Sequence, residues 1–449
     1  MKRKAAALMT ASAVLIISSC SAGSAPETAA GSVAETPSAA VTETSQEPTE
    51  ETAATETSEP AEETWPEDRY VPFASGNGFS LVEEGFGTEV TDQQSGTCWA
   101  HAAATSIESN CLLRGEAVDI DPNDIVHAAY GHIGVSDPDR DGFHAMMYSM
   151  YNVGGDNDQI MAGISNGLDD GLVLTESRYY GGLSREQMQE ALREYGAFTI
   201  GYEDVSSDYL EIYGYTTLNN HGDWPDHSVT VVGYDDDFPA EYFEPQAEQN
   251  GAWLVQNSYS DRWGDGGYFW LSYDTEFYDP MEFEGSYAYS GVLSYDGANT
   301  EWLERSGGIS LANVFEEEGV LGAVGTYTYD SFEEVTVEVY EGILTDGELL
   351  TSVTAEFEYP GYHVIELDEA ITVDIFTVVV TYTGSAPVEG ESQEVYLDNS
   401  YVRFEASSEP GESYIMIGGE WIDLTDEDIQ NLLSISFIPN NACIKALFI

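Results

Sequence analysis

The stretch Asp92–Asn110, DQQSGTCWAHAAATSIESN, passes from small, flexible residues into a helical run. Gly96 and Thr97 lead into Cys98-Trp99, and Ala100, Ala103, Ala104 and Ile107 follow at helical spacing. That places Cys98 in the first turn of a helix, where unpaired N–H groups and the positive end of the macrodipole favour a thiolate. A thiolate attacks carbonyl carbon, but it needs a base to form it and donors to hold the resulting oxyanion. A lone cysteine is more often a small buried hydrophobe, so the reading depends on whether the rest of the chain supplies both.

Two later stretches do. In Asp226-His227-Ser228-Val229-Thr230-Val231-Val232-Gly233-Tyr234 a histidine begins an apolar strand. Trp253-Leu254-Val255-Gln256-Asn257-Ser258 ends a second strand in an asparagine and runs on to Trp263-Gly264-Asp265-Gly266-Gly267-Tyr268-Phe269. Cysteine on a helix, then histidine, then asparagine is the order of a papain-type site. With GTCWA around Cys98, DHSVTVVGYDD around His227 and GAWLVQNS…WGDGGYFW around Asn257, the chain resembles a papain-family cysteine peptidase. The resemblance is to the bacterial form with a C-terminal lectin-like domain. It implies Cys98 as nucleophile, His227 as base and then acid, and Asn257 as the group that orients the imidazole. It also implies that Gly154 and Gly155, in Asn152-Val153-Gly154-Gly155, let substrate backbone lie close. Asp156 and Asp158 beside them suit a basic substrate side chain, or are solvated loop carboxylates. Hydrolysis of this kind needs no metal or organic cofactor.

One position departs from the family. A glutamine six residues before the nucleophile is the expected oxyanion donor, but here that residue is Asp92, and the glutamines are Gln93 and Gln94. A carboxylate would repel the developing oxyanion, so the loop is expected to close more tightly and present Gln93, with Gln94 in reserve.

Upstream, residues 1–19 join Lys2, Arg3 and Lys4 to a short apolar run and end in Ser18-Ser19 before Cys20. This reads as a lipoprotein-type signal peptide, with Cys20 as lipid-modified mature N-terminus and only membrane anchor. Residues 20–66 are nearly all Ala, Ser, Thr, Glu and Pro and read as a disordered acidic tether. They do not read as a long helical inhibitory propeptide.

The remaining chain suffices for two domains. Residues 67–284 mix helix signals at Ile120–Val126 and Ser184–Met188 with strands at 197–202, 228–234, 252–257 and 268–273. An α+β, papain-like two-lobed domain follows, with its site in the cleft between the halves. Residues 285–449 alternate with period two, as in Val335–Val339, between recurrent Gly and Pro turns, and read as an all-β lectin-like sandwich. Ala312-Asn313-Val314-Phe315, Gly411-Glu412-Ser413-Tyr414 and Asn441-Ala442-Cys443-Ile444-Lys445 carry that resemblance, which implies a glycan or cell-wall ligand. Trp302, Trp421 and Tyr414 would stack on a sugar or belong to the core.

The 82 acidic residues against 13 basic ones give a net charge of −69 and exclude nucleic acid and anionic lipid as ligands. The charge either steers basic substrates or reflects an acidic or saline niche. Asp137-Pro138-Asp139-Arg140-Asp141-Gly142 opens like a calcium loop, yet Tyr148 stands where the bidentate Glu belongs, so no EF-hand is expected. His221 reads as a surface residue. Cys111 falls on the core side of its helix and is free or bridged to Cys443. The expectation is an extracytoplasmic, lipid-anchored cysteine endopeptidase acting on peptide or protein. An inactive peptidase-like surface adhesin, and a transpeptidase using the same acyl-enzyme, are the alternatives.

Overall fold

A computed structural model of the chain describes residues 66, 69–93, 96–130, 161, 163–168, 171–222, 225–297, 300–304, 307–390, 393–397, 400–404 and 406–449. The signal peptide, Cys20, the tether, Gln94, Gly154, Gly155, Asp156, Asp158 and the Asp137–Gly142 loop lie outside them.

Helix α1, Cys98–Leu113, is the centre of the first half. It is buried along nearly its whole length, which is why its sequence is Ala-rich on all sides rather than striped. Its polar residues are satisfied by the strands around it. Ser106 Oγ donates to Ala197 O at 2.8 Å, and Asn110 Nδ2 donates to Glu282 Oε1 and Phe283 O at 2.8 and 2.9 Å. Leaving any of these unmade would cost about 1–3 kcal/mol, so the helix is held in one register against the sheet.

Two more helices belong to this half, α2 (Pro122–Tyr130) and α3 (Arg185–Glu194). Ser184 caps α3 in the reciprocal box its sequence announces: its hydroxyl accepts from Gln187 N, and Gln187 Oε1 accepts from Ser184 N. The strands are β1 (Gly78–Ser80), β2 (Val173–Tyr179), β3 (Phe198–Tyr202), β4 (Tyr209–Ile212), β5 (Tyr215–Leu218), β6 (His227–Asp235), β7 (Ala252–Gln256), β8 (Tyr268–Ser272) and β9 (Tyr278–Ser286). They pair in the order β4-β5-β8-β7-β6-β3-β9-β2, all antiparallel except β5–β8, with β1 added to the end of β6. Helix α1 packs across β6, β9 and β3.

The second half is built on two long bent strands, β12 (Ile309–Thr328) and β15 (Gly361–Tyr382). They pair along their length, with irregularities at Glu316/Gly319 and Leu321/Ala323 that let each pass from one sheet into the other. Strands β10 (Gly291–Leu293), β11 (Thr300–Leu303), β13 (Glu333–Glu341), β14 (Leu349–Phe357), β16 (Ala386–Glu389), β17 (Gln393–Leu397), β18 (Ser400–Phe404), β19 (Ser413–Ile417), β20 (Glu420–Asp423) and β21 (Ile444–Phe448) complete it, with a short helix α4, Ile429–Leu433. Between the sheets lies an apolar core that includes Leu311, Phe315, Val337, Phe376 and Val380.

The three stretches that resemble lectin-like domains meet in one buried polar knot. Asn313 Nδ2 donates to Ala442 O and Ile444 O, Ser413 Oγ donates to Asn313 Oδ1 at 2.7 Å, and Asn441 Nδ2 donates to Glu389 Oε2 at 2.8 Å. Those residues staple strands together. The three aromatic candidates are half-buried: Trp302 lies against Tyr329 with ring centres 5.0 Å apart, and Trp421 Nε1 donates to Thr345 Oγ1.

The halves share one compact unit. Glu176 of β2 pairs with His363 of β15, and the His363 Nδ1 lies 2.5 Å from Glu176 Oε1. Gly361 sits so close to β2 that a Cβ there would lie 2.1 Å from Ser177 O. Beneath this seam Ile107, Leu172 and Phe283 of the first half form one apolar cluster with Tyr327, Tyr362 and Cys443 of the second. Each such side chain contributes about 1.5–3 kcal/mol on full burial. Lys445 is fully buried here, and its Nζ donates to Asp296 Oδ2 at 2.8 Å and to Asn166 Oδ1 at 2.9 Å.

Candidate active site

Cys98 is the first residue of α1, and its side chain is buried. His227 is the first residue of β6, and Asn257 follows the last residue of β7. Pairing of β6 with β7 brings the imidazole and the amide together, and packing of α1 across β6 brings the thiol to them. Thr230 Oγ1, three residues beyond His227, donates to Ala102 O at 3.0 Å and fixes that packing.

The imidazole Nε2–H donates to Asn257 Oδ1 at 2.9 Å. That oxygen also accepts from Ser258 N at 2.8 Å, so the amide is held carbonyl-inward and the ring tautomer is set. Burial opposes a charge on His227. The Cys98 sulfur outweighs it by charge and hydrogen bond, Asp204 and Asn257 add to the effect, and the His227 pKa is raised to about 9. At neutral pH the ring is therefore an imidazolium facing a sulfur that gains from being a thiolate.

Two aromatic rings hold the imidazole. Tyr259 stacks on its face, with centres 4.8 Å apart and planes 15° from parallel, and Tyr202 meets it edge-on at 5.7 Å. Trp263 packs its edge on Tyr259 at 5.6 Å and shields the stack.

Gln93 lies beside this group. Its N–H donates to Ser258 O at 2.9 Å and its Oε1 accepts from Ser258 Oγ at 2.6 Å, while Asp92 bridges to Tyr259. The loop before the nucleophile is thus stitched to the strand end that carries Asn257. Fixing Oε1 on Ser258 leaves the Nε2–H₂ end of the amide as the donor turned elsewhere. His221 is exposed, away from strand structure. Cys111 and Cys443 are buried and free, so the bridge does not form. Sequence reading passed over Tyr202, Asp204, Ser258 and Tyr259. Tyr259 stands two residues after Asn257, and an aromatic at that spacing was the one local signal available.

Comparison with known proteins finds a match for each half of the chain. The model of the papain family of cysteine proteases matches residues 82–289, and that of a lectin-like domain matches residues 293–447. Digestive cysteine proteinase 3 of Homarus americanus is 26% identical over 202 residues, 41% of this chain and 58% of that protein. Falcipain-3 of Plasmodium falciparum (isolate 3D7) is 26% identical over 223 residues, 46% of this chain and 43% of that one. The chain thus spans about half the length of these curated relatives. The cysteine protease and lectin-like domains of Cwp84, a surface layer associated protein of Clostridium difficile, superpose with a TM-score of 0.64 at 18% identity. That match covers 83% of this chain and 88% of the other, and it establishes a shared fold.

Proposed function

We propose that the chain is a papain-family cysteine protease unit joined to a lectin-like domain, and that it hydrolyses peptide bonds through an acyl-enzyme on Cys98. The observation that supports this most is the buried His227 ring, fixed by Asn257 at 2.9 Å on one nitrogen, whose pKa the Cys98 sulfur raises. In this reading the Cys98 thiolate attacks the scissile carbonyl, and the His227 imidazolium then protonates the departing amine. Neutral His227 next takes a proton from water, which cleaves the thioester and restores the ion pair. Gln93 Nε2 and the Cys98 N–H are the donors assigned to the oxyanion, and Gly154-Gly155 is assigned to substrate backbone.

The same reading gives the second half a glycan or cell-wall ligand, and it gives Cys20 a lipid that anchors the protein outside the cell. Cwp84, which shares both domains, is a surface layer associated protein. Among the described residues no helix is long and apolar enough to cross a membrane.

A peptide-library cleavage assay beside the Cys98→Ala variant tests the activity, with products analysed for water or amine as acyl acceptor. Cleavage by the wild type and none by the variant is expected. A wild type that cleaves nothing, or a variant that cleaves equally, overturns the proposal. An epoxide that alkylates thiolates is expected to add once, at Cys98, and not in His227→Ala.

A further inference from the structure

Asp204, in the loop after β3, belongs to no motif, yet one of the tyrosines that hold His227 is bonded to it. Tyr259 Oη donates to Asp204 Oδ2 at 2.7 Å. The negative charge of Asp204 bears on the Tyr209 hydroxyl, and the Tyr209 and Tyr202 hydroxyls lie 2.5 Å apart. Tyr259 and Tyr202 are the two rings that hold His227, one by its face and one by its edge. The Asp204 N–H also donates to Asp226 Oδ1 at 2.7 Å, and Asp226 N donates to Tyr202 O at 3.0 Å, which ties the loop to the residue before His227.

We propose that Asp204 is a positioning residue of the active site: by holding the phenol of Tyr259, the ring stacked on His227, and by tying its loop through Asp226 to Tyr202, it fixes the plane of the imidazole and keeps the proton on it. Neither tyrosine can turn without giving up a hydrogen bond to the hub or to the phenol next to it, so the clasp is rigid where a purely apolar stack would slide. Its negative charge also acts directly. Among the groups that face His227, the Cys98 thiolate and the Asp204 carboxylate favour the imidazolium. Asp226, beside the ring in the chain, is also drawn to its charge, and His101, one turn along α1 from Cys98, opposes it as a second imidazole. Asp204 is thus the carboxylate that reaches the ring both by charge and through its neighbours.

This inference rests on the assignment of Cys98 and His227 as an ion pair, and its test requires no peptide substrate. Iodoacetate is an anion, so it alkylates a thiolate faster beside an imidazolium than beside a neutral ring. Its rate against pH is expected to be bell-shaped, with an upper limb near the pH where His227 loses its proton. In Asp204→Asn that limb is expected to move down by roughly 0.5–1 pH unit, the effect of one carboxylate at a partly solvated distance. Asp204→Glu is expected to restore most of it. Tyr259→Phe keeps the ring and loses only the hydroxyl, so a smaller shift in the same direction is expected, and it carries the test if Asp204→Asn does not fold. An upper limb that stays at its wild-type position in the folded variants overturns the proposal. A limb that moves in a protein that cleaves no peptide upholds the hub and overturns only the hydrolase reading.

Discussion

Helix α1 carries a buried cysteine at each end, and the two thiols live in opposite surroundings. Cys98 opens the helix, where the dipole favours negative charge, and it faces the imidazolium of His227. Cys111 lies in the last turn, where the dipole disfavours a thiolate, and its Sγ–H donates to Gly285 O at 3.2 Å. Burial pushes the Cys111 pKa up, against a smaller opposing effect from Arg114. Both thiols are about equally hidden from solvent, so exposure does not separate them. What separates them is the partner: a base held in place at one end, a carbonyl at the other.

The strongest way to break this contrast is to remove each thiol in turn. Cys98→Ala is expected to lower kcat/KM by about 10⁴-fold or more, as when a nucleophile is deleted from a unit that acts together. Cys111→Ala is expected to leave kcat/KM within about twofold in protein that remains folded, because it touches none of the reacting groups. Comparable losses in the two would put the chemistry elsewhere.

The proton on His227 sharpens the comparison further. In Cys98→Ala the ring stays buried but loses the sulfur that holds its charge, so its pKa is expected to fall from about 9 to below its ordinary 6.5. An NMR titration of the imidazole measures this directly. The same shift links to stability with a definite sign. Because the folded pKa lies above the unfolded one, the contribution of His227 is full below about pH 6.5 and is lost as pH rises through about 9. Urea midpoints of wild type are expected to fall across that window, and those of Cys98→Ala are not.

Gln93 comes next in size. Gln93→Ala is expected to lower kcat by roughly 10²-fold with little change in KM, the mark of a donor used mainly in the transition state. A silent Gln93→Ala beside a crippled Gln94→Ala would reassign the donor to Gln94. The smallest effect is expected at the far end of the helix: Cys111→Ser keeps a donor for Gly285 O and is expected to cost only about 1 kcal/mol in urea unfolding. A loss several times larger would mean that the thiol is tuned after all.

The residues of this contrast differ in how far the sequence reveals them. Cys98, His227 and Asn257 each begin or end a regular element, so local pattern finds them, and the cap of α3 was readable from Ser184 and Gln187 alone. The hub at Asp204 was not, because its links to Tyr259 and Asp226 bridge distant stretches and no periodicity marks a loop carboxylate. Strand β2 also went unread, since Glu176 and Arg178 interrupt its alternation. They are tolerated there because each is paired, Glu176 across the seam with His363, and Arg178 Nη1 with Glu282 Oε2 of the neighbouring β9 at 2.7 Å. The motif stretches at 312–315, 411–414 and 441–445 were visible as a resemblance to a sugar-binding fold. Their structural part, a buried knot of Asn313, Ser413 and Asn441, follows only from the meeting of three distant stretches.

Beyond the first four residues Lys445 is the only lysine in the sequence, and it is sealed between the two halves, paired with Asp296. An amine-directed reagent such as a succinimidyl ester therefore meets no open lysine side chain from residue 5 onward while the fold is intact. Acylation of Lys445 becomes a clock for separation of the halves: its rate reports how often the seam parts, with no other lysine from residue 5 onward to mask it.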